Sequence, residues 1–483
     1  MERSPSEHIA STEHQTDPVM ARSVSTVNTA TFVLRFATGL TGALLIFLLA
    51  DYPEYGGPEV GPFTIGVFTA LFYAAELILS PPFGLLSDRV GYHRVMRIGP
   101  IFGFVAVVLT TFTAEVSVGA STVALPIIVG SLFILGLTRL LEGASTAASI
   151  PSGLGYIAAV TSGDESLRGR ASARFEIATV GGLAFGFAAA GPIWEVLGPV
   201  GFLVNGLIYA VSWALFRWYV PDTAGDPQPV TTSTVRSRWT RYRRLLGHSR
   251  VWLLAPTWIA LNAGLGLYTS QTLFQLVNEP DERFADQALV GGFEPVLVTI
   301  AFVIGGALFF AGVLFWGGRF SKMRRTTMIF YGVCGGVVFV VSTLAINQSG
   351  GADLINLAPW LAGLGVGLFV LSGATPAALG LLADISESFP ADRGAVMGLY
   401  SVFLALGQIA GALIGAAAAE AWAFNGILVA TLLLQGVALL PLARLRRLEF
   451  EFQPTPASGP DPAMTTVDLS VTRAYRIEPE DEG

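Results

Sequence analysis

The sequence predicts an all-α integral membrane protein, with twelve transmembrane helices arranged as two pseudo-symmetric six-helix halves. Three observations carry this expectation. Twelve long apolar runs punctuate the chain, and about 20 such residues cross the ~30 Å hydrocarbon core of a bilayer as a helix that satisfies its own backbone. Arginines cluster in every second gap between the runs. The Gly, Pro and Arg pattern of the first half returns in the second at one fixed offset.

The expected spans lie near 29–50, 62–83, 94–114, 125–160, 171–193 and 199–219, then 251–277, 293–316, 326–346, 357–384, 395–419 and 424–443. The first gap holds Asp51, Glu54 and Glu59 and no basic residue; the next holds Arg89, His93, Arg94 and Arg97. Glu115, the cluster Arg168, Arg170 and Arg174, and Glu195 continue the alternation. The central gap carries Arg236, Arg238, Arg241, Arg243, Arg244 and Arg250. Arg319, Lys322, Arg324 and Arg325 share one later gap, Arg393 lies in another, and Arg444, Arg446 and Arg447 follow the last span. In the gaps, only Arg283 breaks the parity. Basic loops stay cytoplasmic, so both termini are expected inside a plasma or inner membrane.

A shift of 225 residues places Pro151 on Pro376, Gly155 on Gly380, Arg168 on Arg393 and Gly169 on Gly394. It also places Gly182 on Gly407, Gly186 on Gly411 and Gly201 on Gly426. Two parallel six-helix repeats are an arrangement found in secondary transporters. The expected organisation is a cytoplasmic tail at 1–27, halves at 28–220 and 251–447, a Pro-, Thr- and Arg-rich linker at 221–250, and a disordered tail at 448–483. The GxxxG spacings at Gly182 and Gly186 and at Gly407, Gly411 and Gly415 let another backbone approach closely, either in static packing or at a moving interface.

Composition narrows the function. Mean hydropathy is +0.61 and charged residues make up 13%, about half the share of a soluble domain. The single cysteine, Cys334, excludes an intrachain disulfide. The four histidines, His8, His14, His93 and His248, are scattered through tails and loops, so neither a metal site nor a cofactor is expected. No nucleic-acid partner is expected either. Membrane lipids are the expected surroundings, with anionic headgroups against the basic face, and a monomer is the expected state.

The loop after span two reads Gly84-Leu-Leu-Ser-Asp88-Arg89-Val-Gly91-Tyr-His93-Arg94. It resembles the signature loop of the major facilitator superfamily, with His93 where that family carries Arg or Lys. A vestige without the aspartate follows span eight, from Gly318 to Arg325. The resemblance covers roughly residues 28–447. It implies that Gly84, Asp88, Arg89, Gly91 and Arg94, with Arg168 of the related loop, form a cytoplasmic gate that latches one transport state. The same loop also serves orientation alone.

Away from the span ends, four charges stand out: Arg35, Glu76, Arg139 and Glu142. Such charges need a partner or water. Glu142 lies three residues after Arg139, on a neighbouring part of one helix face. The family carries an Arg followed four residues later by Gly in this helix, as Arg139 and Gly143 do. The resemblance implies that Arg139 sits beside a carboxylate and couples its protonation to conformation. A structural ion pair is the alternative. Arg35 and Glu76 both fall in the cytoplasmic half of their spans and can pair; Glu76, then Glu142, are the candidate proton carriers. The second half instead carries uncharged polar groups, Asn262, Tyr268, Gln271, Gln275, Gln408 and Gln435. Of these, Asn262, Tyr268, Gln271 and Gln408 are the candidate substrate contacts.

The expected function is a secondary active transporter moving a small organic solute by alternating access. Proton coupling and efflux are preferred over symport or uniport. A non-transporting relative acting in membrane assembly is the rival, and no nucleophile–base pair at membrane depth suggests an enzyme. The Gly191-Pro192 pair is displaced from its place in the drug-antiporter subgroup, so the resemblance names no subfamily.

Overall fold

The computed structural model describes residues 18–114, 116–118, 121–123, 131–161, 165–221, 249–279, 281–319, 322–350, 353–387 and 393–452. Residues 1–17 and 453–483 of the expected tails, most of the linker, and Glu115 lie outside the described residues, as do the side chains of Asp88, Arg168 and Arg393.

Among the described residues the first half contains α1 (Pro18–Ala50), α2 (Pro62–Val90), α3 (Tyr92–Met96), α4 (Ile98–Thr111), α5 (Ser131–Val160), α6 (Glu165–Leu197) and α7 (Gly201–Trp218). The second contains α8 (Ser249–Val277), α9 (Pro295–Gly317), α10 (Arg325–Asn347), α11 (Leu354–Leu371), α12 (Ala374–Glu387), α13 (Arg393–Leu439) and α14 (Leu442–Phe452). Eight stretches of the described residues are long and apolar enough to cross a membrane. Two of them, Arg174–Trp218 and Val402–Arg447, each contain a reversal. The first turns at Gly198–Val200, and the second breaks at Trp422 and Ala423. Helices α5 and α8 are as long but richer in Ser, Thr and Gln. Each of the twelve expected runs therefore has a helical counterpart, consistent with twelve crossings.

Three details differ from the sequence expectation. The third crossing is interrupted at Arg97, whose Nε donates to the Phe216 carbonyl at 3.4 Å. The tenth is split between α11 and α12, where Trp316 packs on Gly373. Two three-residue strands, β1 (Val116–Val118) and β2 (Ser121–Val123), form an antiparallel pair in the gap after α4.

Several threonines inside the helices are satisfied locally. Thr38, Thr41, Thr110, Thr111 and Thr431 each donate to the carbonyl four residues back, which spares the hydroxyl an unpaired place in an apolar interior. The glycine series settle as within-half packing. A methyl on Gly186 would overlap the Phe36 carbonyl of α1, and one on Gly411 the Ala263 carbonyl of α8. So α6 lies backbone-to-backbone on α1, and α13 on α8.

The two halves meet toward the end that carries the acidic gaps. Gly66 of α2 abuts Ala412 and Ala416 of α13, and Gly61 approaches Glu420. Gly191 of α6 abuts Pro295 and Thr299 of α9, and the Phe187 and Phe302 rings lie 5.1 Å apart. One core cluster at this end joins first-half residues to Leu273, Phe274 and Val298. At the basic end the clusters stay within one half, Met96, Tyr156 and Phe175 in the first and Trp258, Met328 and Leu445 in the second. Among the described residues the halves join at the acidic end, and no core cluster bridges them at the basic one.

Candidate functional site

Glu142 and Arg139 form the centre. They project from one face of α5, and Arg139 Nη1 meets Glu142 Oε2 at 2.7 Å, with the side chains 5% and 1% exposed. Helix α5 can carry this pair because it packs on small residues, with Gly143 against the Phe72 carbonyl and Ala75 of α2. The pair lines a cavity of about 180 Å³, with Thr38, Leu45 and Ile46 of α1, Phe68 and Tyr73 of α2, Phe187 of α6 and Thr269 of α8. The walls are thus chiefly apolar and aromatic, with one charged pair.

Arg35 of α1 donates through Nη1 to Thr146 Oγ1 at 3.3 Å, one turn along α5 from Glu142. Glu76 of α2 lies close enough to Arg35 for their charges to interact, and Tyr73 adjoins both. The four charges singled out in the sequence therefore occupy α1, α2 and α5 as two neighbouring charged groups. Arg35 Nε, Arg139 Nε and Nη2, and Glu142 Oε1 are buried without a hydrogen-bond partner.

The second-half polar residues take other positions. Asn262 donates to the Trp258 carbonyl of its own helix at 2.9 Å. Gln271 reaches across to the Pro62 carbonyl at 3.1 Å. Tyr268 stacks edge-on against Phe339 at 5.7 Å, and the Gln408 backbone packs on Gly266. Tyr268 Oη, Gln271 Oε1 and Gln408 Oε1 are buried without a partner. From α8, Thr269 rather than these residues lines the cavity.

The loop after α2 has a structural logic of its own. Gly91 takes φ +98° and ends the helix, its N–H bonded to the Ser87 carbonyl at 3.1 Å. That backbone region favours glycine. A methyl on Gly84 would meet open space, Arg89 and Arg94 are exposed, and His93 is buried.

Sequence reasoning missed Tyr209 and Asn205, both fully buried in α7. Asn205 Nδ2 donates to Thr41 Oγ1 at 2.7 Å and to the Ala37 carbonyl at 2.9 Å. Their signal was a four-residue spacing of two polar groups inside an apolar run.

A family model described as Major Facilitator Superfamily matches residues 27–384. The chain belongs to the major facilitator superfamily. Its fold is the multi-pass membrane fold of that superfamily. The human chromaffin granule amine transporter is 24% identical over 375 residues, which is 76% of this chain and 62% of that protein. The chain thus spans under two thirds of this relative's length. Solved structures with the same fold include a peptide transporter (TM-score 0.61, 15% identity, 88% of this chain and 95% of that one). A D-xylose–proton symporter matches with TM-score 0.60 and 14% identity over 90% of this chain and 98% of that one.

Proposed function

We propose that this superfamily member exchanges protons for a small organic amine, exporting the amine by alternating access between its two six-helix halves in the inner membrane. One observation carries the reading: the Glu142–Arg139 pair faces the central cavity. With both groups ionised the pair is neutral, and Glu142 can turn its carboxylate to a cation entering among the aromatic walls. Protonating Glu142 leaves the Arg139 charge uncompensated and repels that cation. Proton and amine then exclude each other, and the linkage is reciprocal. The amine class is supported by the human relative. With the basic end cytoplasmic, the cavity of this state loads from inside.

Arg35 and Arg139, each with an unpartnered nitrogen, support a second reading in which protonation admits an anion and the chain is a symporter. Inverted vesicles holding the full chain, a preformed pH gradient and a panel of amines, carboxylates and sugars separate the two. Amines are expected to collapse the gradient in the native protein and to leave it intact with Glu142→Gln. Carboxylate-driven proton movement in the direction of the carboxylate would replace antiport with symport. Proton coupling preserved in Glu142→Gln would refute the role of this carboxylate.

A further inference from the structure

We infer that Tyr209 is a positioning residue for the Glu142–Arg139 pair, holding the free oxygen of Glu142 through one bound water. The inference deepens the reading of Glu142 as the proton-binding carboxylate and rests on it.

Tyr209 is wholly buried in α7, and any side chain larger than hydrogen at Gly103 of α4 would overlap its ring. Its hydroxyl lies among Thr38, Thr41, Glu142 and Arg139, near enough to both threonines to interact but without a hydrogen bond of good geometry. Glu142 Oε1, Arg139 Nε and Arg139 Nη2 are equally buried and equally unpartnered. One acceptor, one hydroxyl and two N–H donors thus share a single neighbourhood. Buried polar groups are almost always paired, and a buried water needs two to four polar partners. A water here accepts from Arg139, donates to Glu142 Oε1 and takes its third bond from Tyr209.

Thr41 lies close to Glu142, but each neighbouring threonine commits its one hydroxyl proton to its own helix. Thr38 donates to the Leu34 carbonyl at 3.0 Å and Thr41 to the Ala37 carbonyl at 2.9 Å. Asn205, one turn before Tyr209, pins α7 to α1 through Thr41 and Ala37 and so sets the height of the phenol. The charged and titratable groups around Glu142 are Arg139 on its own helix, Tyr209 on α7, Tyr73 and Glu76 on α2, and Arg35 on α1. Helix α4 adds only Thr110, bonded to Thr138 at 3.3 Å.

The experiment uses the full chain in liposomes and follows carboxyl absorption by infrared difference spectroscopy during a pH titration. The Glu142 band is identified by its loss in Glu142→Gln. Tyr209→Phe keeps the ring and removes the oxygen. The ionised carboxylate loses a hydrogen-bonded support, so the band's midpoint should move to higher pH by about one unit, and the pH profile of transport with it. Fluorotyrosine at position 209, a stronger donor of the same shape, should move both to lower pH. A purely structural phenol would not give opposite shifts. An unmoved midpoint in both variants, with Glu142→Gln still uncoupled, overturns the role of Tyr209 and leaves the proposed function standing. Coupling that survives Glu142→Gln overturns both.

Discussion

Asp51 lies just past the end of α1, half-buried, and accepts from Trp194 Nε1 at 3.1 Å. The Trp194 indole is boxed by Phe47 and Tyr55, with ring centroids at 6.2 and 5.7 Å. Burial pushes the Asp51 carboxyl above its ordinary value; the indole bond opposes this, and Glu54 and Glu279 add to it. Glu279 belongs to the second half, so its contribution depends on a closed acidic end, whereas the indole box is built within the first half. The part of the raised proton affinity that Glu279 supplies goes when the halves separate, which links acidity to closure. The added preference for closure is complete below the ordinary carboxylate range and is lost as pH rises through the raised value. Acidifying the outer face should therefore favour the state described above. Labelling of a cysteine placed on the acidic-end face of α13 should slow at low outer pH in the native protein. In Asp51→Asn, which mimics the protonated form, labelling should stay slow at every pH; a variant still responsive to pH would remove Asp51 from the effect.

The break in α13 shows how one helical run becomes two crossings. Ala423 takes φ 48° and ψ −131°, the sole positive φ at a non-glycine among the described residues. A polar network from the α8–α9 loop holds it. Gln287 donates to the Trp422 carbonyl at 3.1 Å and accepts from the Asn425 N–H at 2.9 Å. Asn347 at the end of α10 donates to Gln287 and Asn425 at 3.1 and 3.0 Å. Glycine adopts this backbone without strain, so Ala423→Gly should raise stability by about 1 kcal/mol in thermal unfolding of the purified protein; a loss would mean that the methyl's packing outweighs its strain. The position of this reversal was legible, because the apolar runs ending near Glu420 and resuming near Asn425 left a gap. The α5 ion pair was equally legible, since charges at membrane depth stand out against an aliphatic background. Gln287 and Asn347 carried no such signal: a polar residue in a loop or at a helix end is ordinary until folding buries it. Trp194 was hidden for the opposite reason, as an aromatic in a chain full of them. The Gly91 turn could be read from its motif, but the partners of Gly182 and Gly411 needed three-dimensional packing to assign them.

For the whole molecule, the balance between open and closed ends is a matter of a few cross-half contacts. Gln271 of α8 bonding the Pro62 carbonyl of α2 is a directional one. Removing it in Gln271→Ala should cost the closed acidic end ~1 kcal/mol, about a fivefold gain in the population open on that side. Spin labels on the acidic ends of α2 and α8 should report this as a longer-distance population; an unchanged distance distribution would show that the bond does not hold the ends together. Beside the apolar cluster that joins Leu273, Phe274 and Val298 to the first half, part of that seal is unusual in what it lacks. Gly66 against Ala412 and Ala416, and Gly191 against Thr299, are contacts between backbones and the smallest side chains. Parting them exposes little apolar area, and because those side chains have few rotamers to freeze or release, closing again costs little side-chain entropy. A seam of this kind adds little side-chain ordering to the work of closing. In the proposed cycle the work of opening that end therefore falls on the apolar cluster and the Phe187–Phe302 contact rather than on the glycine seam.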